Sequence, residues 1–148
     1  MNYELGACNI FSIGYINQKK SNKLITNMAV IIDKPRIIQA HGNKPKQIEE
    51  YFGRVSSNTS QLSIARMKSP TGWLEPGQRP EFDEYTLVLH GTLMVKTEEK
   101  EYEIKGGQAI LIQGGKWVQY SSPYEGGAEY VAVCLPAFSP DTVHRDGN

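Results

Sequence analysis

Asp83 and Glu84 form an acidic pair at the mouth of a run of β-forming residues, Tyr85-Thr86-Leu87-Val88-Leu89, and Gly91 joins that run to a second one, Thr92 to Lys96. A carboxylate at the mouth of a strand serves proton transfer when burial raises its pKa, and serves structure when a rim cation pairs with it. For Glu84 the rim partners would be Arg79 or Arg66, and both readings are open at this point. Arg79 and Glu81 flank Pro80 in the preceding turn, GWLEPGQRPEF. The guanidinium fork suits a substrate carboxylate or carbonyl; the alternative is a pair of solvated loop charges. The three histidines are His41 in a loop, His90 beside Gly91, read as a turn residue, and His144 near the C-terminus. None stands at ligand spacing to another, so a metal site made from them requires loop and tail to fold back together.

The elements that must position these groups read as short strands. Residues 29–40 (AVIIDKPRIIQA) are two β runs around Lys34-Pro35, placed at an edge because proline removes a ladder donor. Residues 41–46 are loop, and 47–54 is either a helical turn or a short strand. From Gln61 to Lys68 the chain alternates, with Ser63, Ala65 and Met67 on one face and Leu62, Ile64, Arg66 and Lys68 on the other. After the Thr92–Lys96 run come a polar turn at Glu98-Glu99-Lys100 and the runs 101–105, 108–113, 116–121 and 128–135, with Gly106-Gly107 and Gly114-Gly115 as turns. Eight to ten short strands with glycine turns and hardly a helical period predict an all-β fold. A double-sheet jelly-roll barrel manages its edges in a chain of this size.

The length, 148 residues, sets a single domain with one core. Sixteen basic and sixteen acidic residues cancel to a net charge of zero, so neither nucleic acid nor an anionic membrane is an expected partner. Cys8 and Cys134 lie far apart and outside any C-x-x-C pattern, which makes a reducing compartment the default. No apolar run reaches the roughly 18–20 residues of a membrane helix, and no secretory signal pattern opens the chain; the expectation is a cytoplasmic protein. Residues 1–27 lack a sustained period and are expected to be an extension, either disordered or upstream of a true start at Met28. Residues 28–137 are then the barrel and 138–148 a C-terminal tail.

The segment from Gly72 to Gly91 resembles the first motif of the cupin superfamily, with Gly72, Glu84 and Gly91 in the motif's glycine and glutamate places. Gln78 and Pro80 stand where its two histidines would be. Residues 107–122 (GQAILIQGGKWVQYSS) resemble the second motif: Gly107 and Gly115 are kept, and Gln113, Val118 and Ser122 replace its proline, histidine and asparagine. The run FDEYTLVLHGTL with GGQAILIQGGKWVQYSSP is most similar to cupins of the ethanolamine-utilisation type, and also to small bacterial cupins that end in a Pro-Ala-Phe-Ser-Pro segment, here Pro136 to Pro140.

This resemblance implies a jelly roll, a homodimer made by exchange of N-terminal strands such as residues 29–40, and a barrel pocket for a small-molecule ligand. It implies that Glu84 keeps an inward position, with Thr86 and Val88 on the same face by the strand's period of two and Tyr120 inward with Val118. Gln78, Thr86 and Val118, with Arg79 and Glu81 in the neighbouring loop, are then the candidate ligand-binding residues. Glu84 and Tyr120 are the candidates for catalysis, the carboxylate having its pKa raised by burial and the phenol orienting a ligand or passing a proton. No cofactor is expected, since one carboxylate is a poor holder of a transition metal. Three functions follow: a binding module for a small polar metabolite; a metal-independent isomerase, epimerase or lyase using Glu84 as general acid or base; and a metal-dependent enzyme with a divalent ion on Glu84 plus His41, His90 or His144.

Overall fold

The structure, a computed structural model, describes residues 29–147. The expected extension over residues 1–27, the start at Met28 and Cys8 lie outside the described residues. Within them every regular element is a strand: β1 (Arg36–Ile38), β2 (Gln47–Phe52), β3 (Ser63–Ser69), β4 (Trp73–Leu74), β5 (Asp83–Thr97), β6 (Glu101–Lys105), β7 (Ala109–Ile112), β8 (Val118–Ser122) and β9 (Ala128–Leu135). No described helix is long and apolar enough to cross a membrane.

The fold is organised around β5, which serves two antiparallel sheets in turn. Its first part pairs with β9, from Asp83 opposite Leu135 to Gly91 opposite Ala128, and with β7, from Glu84 opposite Ile112 to Leu87 opposite Ala109. Its second part pairs with β6 over Thr92 to Lys96 and with β8 over Met94 to Thr97. The larger sheet therefore runs β1-β2-β3-β9-β5-β7 and the smaller one β6-β5-β8-β4. This is the expected jelly roll, a curled antiparallel sheet with its inner faces apposed.

The corner where β5 changes sheets explains Gly91. Its φ is 74°, and a Cβ there would lie 2.1 Å from the carbonyl oxygen of Gly127, so only glycine fits. A register irregularity between Val88 and His90 adds a bulge just before it. His90 is consequently not a turn residue as the sequence indicates. It stays in the strand opposite Glu129, because β9 pairs with β5 straight through the corner.

At the other edge, the two β runs expected in residues 29–40 reduce to the three residues of β1, which begins just after Pro35 and, among the described residues, pairs only with β2. Residues 47–52 settle as strand. Glu50 on that strand is buried, and its Oε1 accepts hydrogen bonds from the Val55 and Ser56 amides and the Ser56 hydroxyl. Its burial thus belongs to the turn after β2.

The core is apolar at the end held by the second half of β5. Leu93 and Val95 pack with Trp73, Val88, Ile104, Val118 and Tyr130, all buried. A second small cluster of Phe82, Cys134 and Val143 lies at the other end, with Phe138 against it. Val143 belongs to the C-terminal segment, which runs back along residues 77–81: the Glu81 amide donates to the Thr142 carbonyl, Arg79 to His144, and Asp146 to Gly77.

Candidate functional site

The side chains that enter the barrel near Phe82 enclose a cavity of about 70 Å³. That is several times the ~10–15 Å³ that a single water needs. The strands bring their inward residues by the strand period: Ile38 from β1, Ile48 and Glu50 from β2, Ser63, Ala65 and Met67 from β3, Glu84 from β5, Tyr120 from β8, and Tyr130, Ala132 and Cys134 from β9. Three charged residues reach it from outside the strands: Lys46 from the loop before β2, Glu75 from the turn after β4, and Arg145 from the C-terminal segment.

Glu84 is buried, and that burial raises its pKa; the positive charge of Lys46 and the hydroxyls of Thr86 and Tyr120 pull it back down. Thr86 Oγ1 donates to Glu84 Oε1 at 3.2 Å. Burial pushes Glu75 up to about 7, against the pull of Lys46 and with the added repulsion of Glu84. Two carboxyls in one cavity are thus both shifted toward the proton-bound form.

Lys46 is half-buried as a whole residue, but its ammonium is tucked 4.0 Å from the ring centroid of Trp73 and 5.3 Å from that of Tyr130. Burial lowers its pKa, while Glu75 and Glu84 act to raise it. The Trp73 and Tyr130 ring faces themselves favour a cation. Arg145 lies with its guanidinium carbon 5.9 Å from the Phe138 ring centroid. Among the described residues neither Lys46 nor Arg145 forms an ion pair. Two buried polar atoms there have no hydrogen-bond partner, the Tyr120 hydroxyl and Arg145 Nε. The Tyr120 hydroxyl is near enough to Glu84 to favour its charged form without meeting hydrogen-bond geometry. Orphaned buried polar atoms are rare because each costs about 1–3 kcal/mol, and both of these belong to residues that line the cavity.

Of the residues expected at the site, Glu84, Gln78 and Tyr120 line the cavity, and Thr86 touches it through Glu84. Gln78 is held by paired backbone hydrogen bonds with Val118. Val118 is fully buried but packs in the apolar cluster. Arg79 and Glu81 point away: Arg79 pairs with Glu98 at 2.6 Å and Glu81 with His144 at 2.6 Å, and all four side chains are exposed. Glu84 is not a rim carboxylate paired with Arg79 or Arg66, because Arg66 is taken by Glu129 and Glu49. Asp83, the other half of the acidic pair, accepts a hydrogen bond from the Gly114 amide at 2.8 Å and anchors a turn. His41, His90 and His144 do not gather around Glu84: among the described residues no three His, Cys, Asp or Glu side chains are placed to hold a metal ion.

Sequence reasoning missed Lys46, Glu75 and Arg145. A signal existed for two of them. Trp73, Leu74 and Glu75 alternate in, out, in, so the burial expected of a tryptophan carries Glu75 inward. Val143 and Arg145 alternate in the same way around exposed His144. Lys46 follows Pro45 outside any strand and offers no such phase.

Among solved structures, the EutQ protein of Clostridium difficile superposes with TM-score 0.53 at 23% identity, covering 64% of this chain and 65% of that one, just short of two thirds of its length. A predicted oxalate decarboxylase from Thermotoga maritima superposes with TM-score 0.60 at 19% identity, over 74% of this chain and 99% of that chain. The fold is that of a cupin. At these identities the likeness extends to the fold alone. No family model matches the sequence. A curated protein of Myxococcus xanthus named Endoribonuclease YbeY is 43% identical over 101 residues, which are 68% of this chain. This chain spans about a third of that protein, 34% of its length.

Proposed function

We propose that this cupin binds a small polar metabolite in the cavity and moves a proton on it without a metal, as an isomerase, epimerase or lyase with Glu84 as the proton carrier. The observation that carries this reading is the convergence on one cavity of Glu84, Glu75 and a Tyr120 hydroxyl that has no hydrogen-bond partner among the described residues. A general acid or base works best when its pKa lies near the working pH, and burial moves both carboxyls in that direction. In this scheme Glu84 takes a proton from the ligand, Tyr120 donates a hydrogen bond to the oxygen where charge develops, and Glu75 holds a second exchangeable proton beside Lys46.

The donor set does not fit a divalent metal. Gln78, Pro80 and Val118 supply at most one amide oxygen where three imidazoles would be, and Lys46 and Arg145 place two cations in the same space. The expected metal content of purified protein by plasma mass spectrometry is well below one ion per chain. Endoribonuclease activity, the name of the Myxococcus protein, is not part of this proposal. The net charge is zero, and Lys46 and Arg145 face a cavity instead of forming an exposed basic face. A cytoplasmic location and a homodimer through the β1 edge complete the proposal. Among the described residues the edge strand has an open side and Ile37 on it is exposed, and native mass tests the dimer.

The test is solvent exchange. Small metabolites found by thermal shift are incubated with protein in D₂O, and NMR follows loss of a carbon-bound proton. Exchange with the natural protein that stops in Glu84→Gln, while affinity stays within a few fold, supports proton transfer. Binding without exchange in either form reduces the protein to a binding module.

A further inference from the structure

We infer that the ligand is a small monocarboxylate whose anionic end is held by Arg145 and Lys46. This rests on the pocket reading above and deepens it. Glu75 and Glu84 act on these two cations from a distance, but among the described residues neither cation has a carboxylate in direct contact, which leaves a place for one supplied from outside. Arg145 is the better reader of the two. Its Nε is a buried donor with no partner, and the planar guanidinium fork matches the two oxygens of a carboxylate. Lys46, braced on Trp73 and Tyr130, supplies a point charge.

The charges around the cavity disfavour a guest with more than one negative charge. Glu84, Glu75 and Glu50 line the space with the two cations, so a phosphate or a dicarboxylate would bring a second negative charge against three carboxyls. The volume, about 70 Å³, limits it to a few non-hydrogen atoms. With the carboxylate on Arg145, the rest of the guest lies toward Glu84 and Tyr120, the groups assigned to proton transfer.

Arg145 is positioned from outside the barrel. Its neighbour Asp146 accepts a hydrogen bond from Trp117 Nε1 at 2.9 Å, and the Asp146 amide donates to the Gly77 carbonyl at 2.8 Å. A Cβ on Gly77 would lie 2.3 Å from Asp146 Oδ2 and 2.4 Å from Trp117, so the glycine leaves room for this anchor. The C-terminal segment is therefore part of the site.

The test is calorimetric titration of the full chain with acetate, pyruvate, 2-oxobutyrate, inorganic phosphate and acetamide. At least one of the three carboxylates is expected to bind saturably, with phosphate and acetamide at least tenfold weaker. Arg145→Gln is expected to weaken carboxylate binding at least tenfold without lowering the unfolding midpoint. Should that variant fail to fold, Arg145→Lys, which keeps the charge and loses the fork, is expected to weaken binding severalfold. Acetamide or phosphate binding as well as the carboxylates, no carboxylate binding, or unchanged affinity in the folded arginine variant would each overturn the inference. Ala132→Phe, which fills the cavity, separates this from the broader reading. If a neutral guest binds and this variant abolishes it, the pocket stands and the carboxylate falls. If the variant leaves the binding of every probe untouched, the pocket reading falls as well.

Discussion

The two halves of β5 obey one rule and build two different interiors. In the half that belongs to the smaller sheet, the inward residues Leu93 and Val95 are fully buried among apolar neighbours. In the half that belongs to the larger sheet, Val88 still packs in that apolar cluster, but buried Glu84 faces a cavity with Lys46, Glu75 and Arg145 around it, and Thr86 hydrogen-bonds to Glu84. Apolar burial at the first end stabilises the fold at about 25 cal/mol per Å². Charged burial at the second end opposes it, since desolvation exceeds what imperfectly paired charges return. A sequence answering only to stability would have filled both ends alike. The contrast is what the proposal of a ligand at the second end rests on.

The comparison can be broken from either side. The largest effect belongs to the dry end: Leu93→Ala is expected to cost about 2–5 kcal/mol in urea unfolding, from lost contacts and a residual cavity. A loss under 1 kcal/mol would mean that this half is not the better-packed one.

Next comes the pH dependence of the unliganded protein. Glu75 has a folded pKa pushed up to about 7 from an ordinary 4.5, so across that window the folded chain holds a proton that the unfolded chain has released. Stability is therefore fully present below the ordinary value and falls as pH rises toward about 7, with Glu84 adding in the same direction. Urea midpoints measured from pH 5 to pH 8 should decline, and Glu75→Gln should flatten the decline. Glu129, lowered by its hydrogen bond from Arg66, acts with the opposite sign but only below the ordinary carboxylate range. A midpoint that rises over the window would contradict the assignment.

The smallest effect belongs to the surface. Arg79→Ala removes an exposed pair with Glu98 and should change stability by no more than about 0.5–1 kcal/mol, with ligand binding unaltered. A tenfold loss of ligand affinity in that variant would return Arg79 to the site and undo the boundary drawn here between cavity and rim.

Much of this was legible in the sequence, and the period of two shows how far. Read forward from Glu84 it places Thr86 and Val88 inward, as found. Read backward it places Phe82, Pro80 and Gln78 inward and turns Glu81 and Arg79 out, also as found, and the same rule argues against those two charges as ligand residues. The bend at Gly91 was legible as a glycine, but not as a corner that a partner strand bridges, because a continuous ladder is a property of β9 as much as of β5. Lys46 was out of reach for a related reason, and Arg145 could be read only from its alternation with Val143. Strand parity extends only as far as strand pairing, and these two arrive from a loop and a terminal segment whose paths are set by backbone bonds to distant residues, such as Asn43 with Leu74 and Asp146 with Gly77.

The central claim is that one end of this barrel is a cavity of charged groups held away from their ordinary protonation, and carboxyl-detected ¹³C NMR titration of the glutamates tests it most directly. The account predicts one buried carboxyl, lost in Glu75→Gln, titrating near pH 7, and a second, lost in Glu84→Gln, titrating above the ordinary carboxylate range. Both carboxyls titrating near their ordinary value of 4.5 would show that water reaches them freely, and the enclosed site described here would not exist.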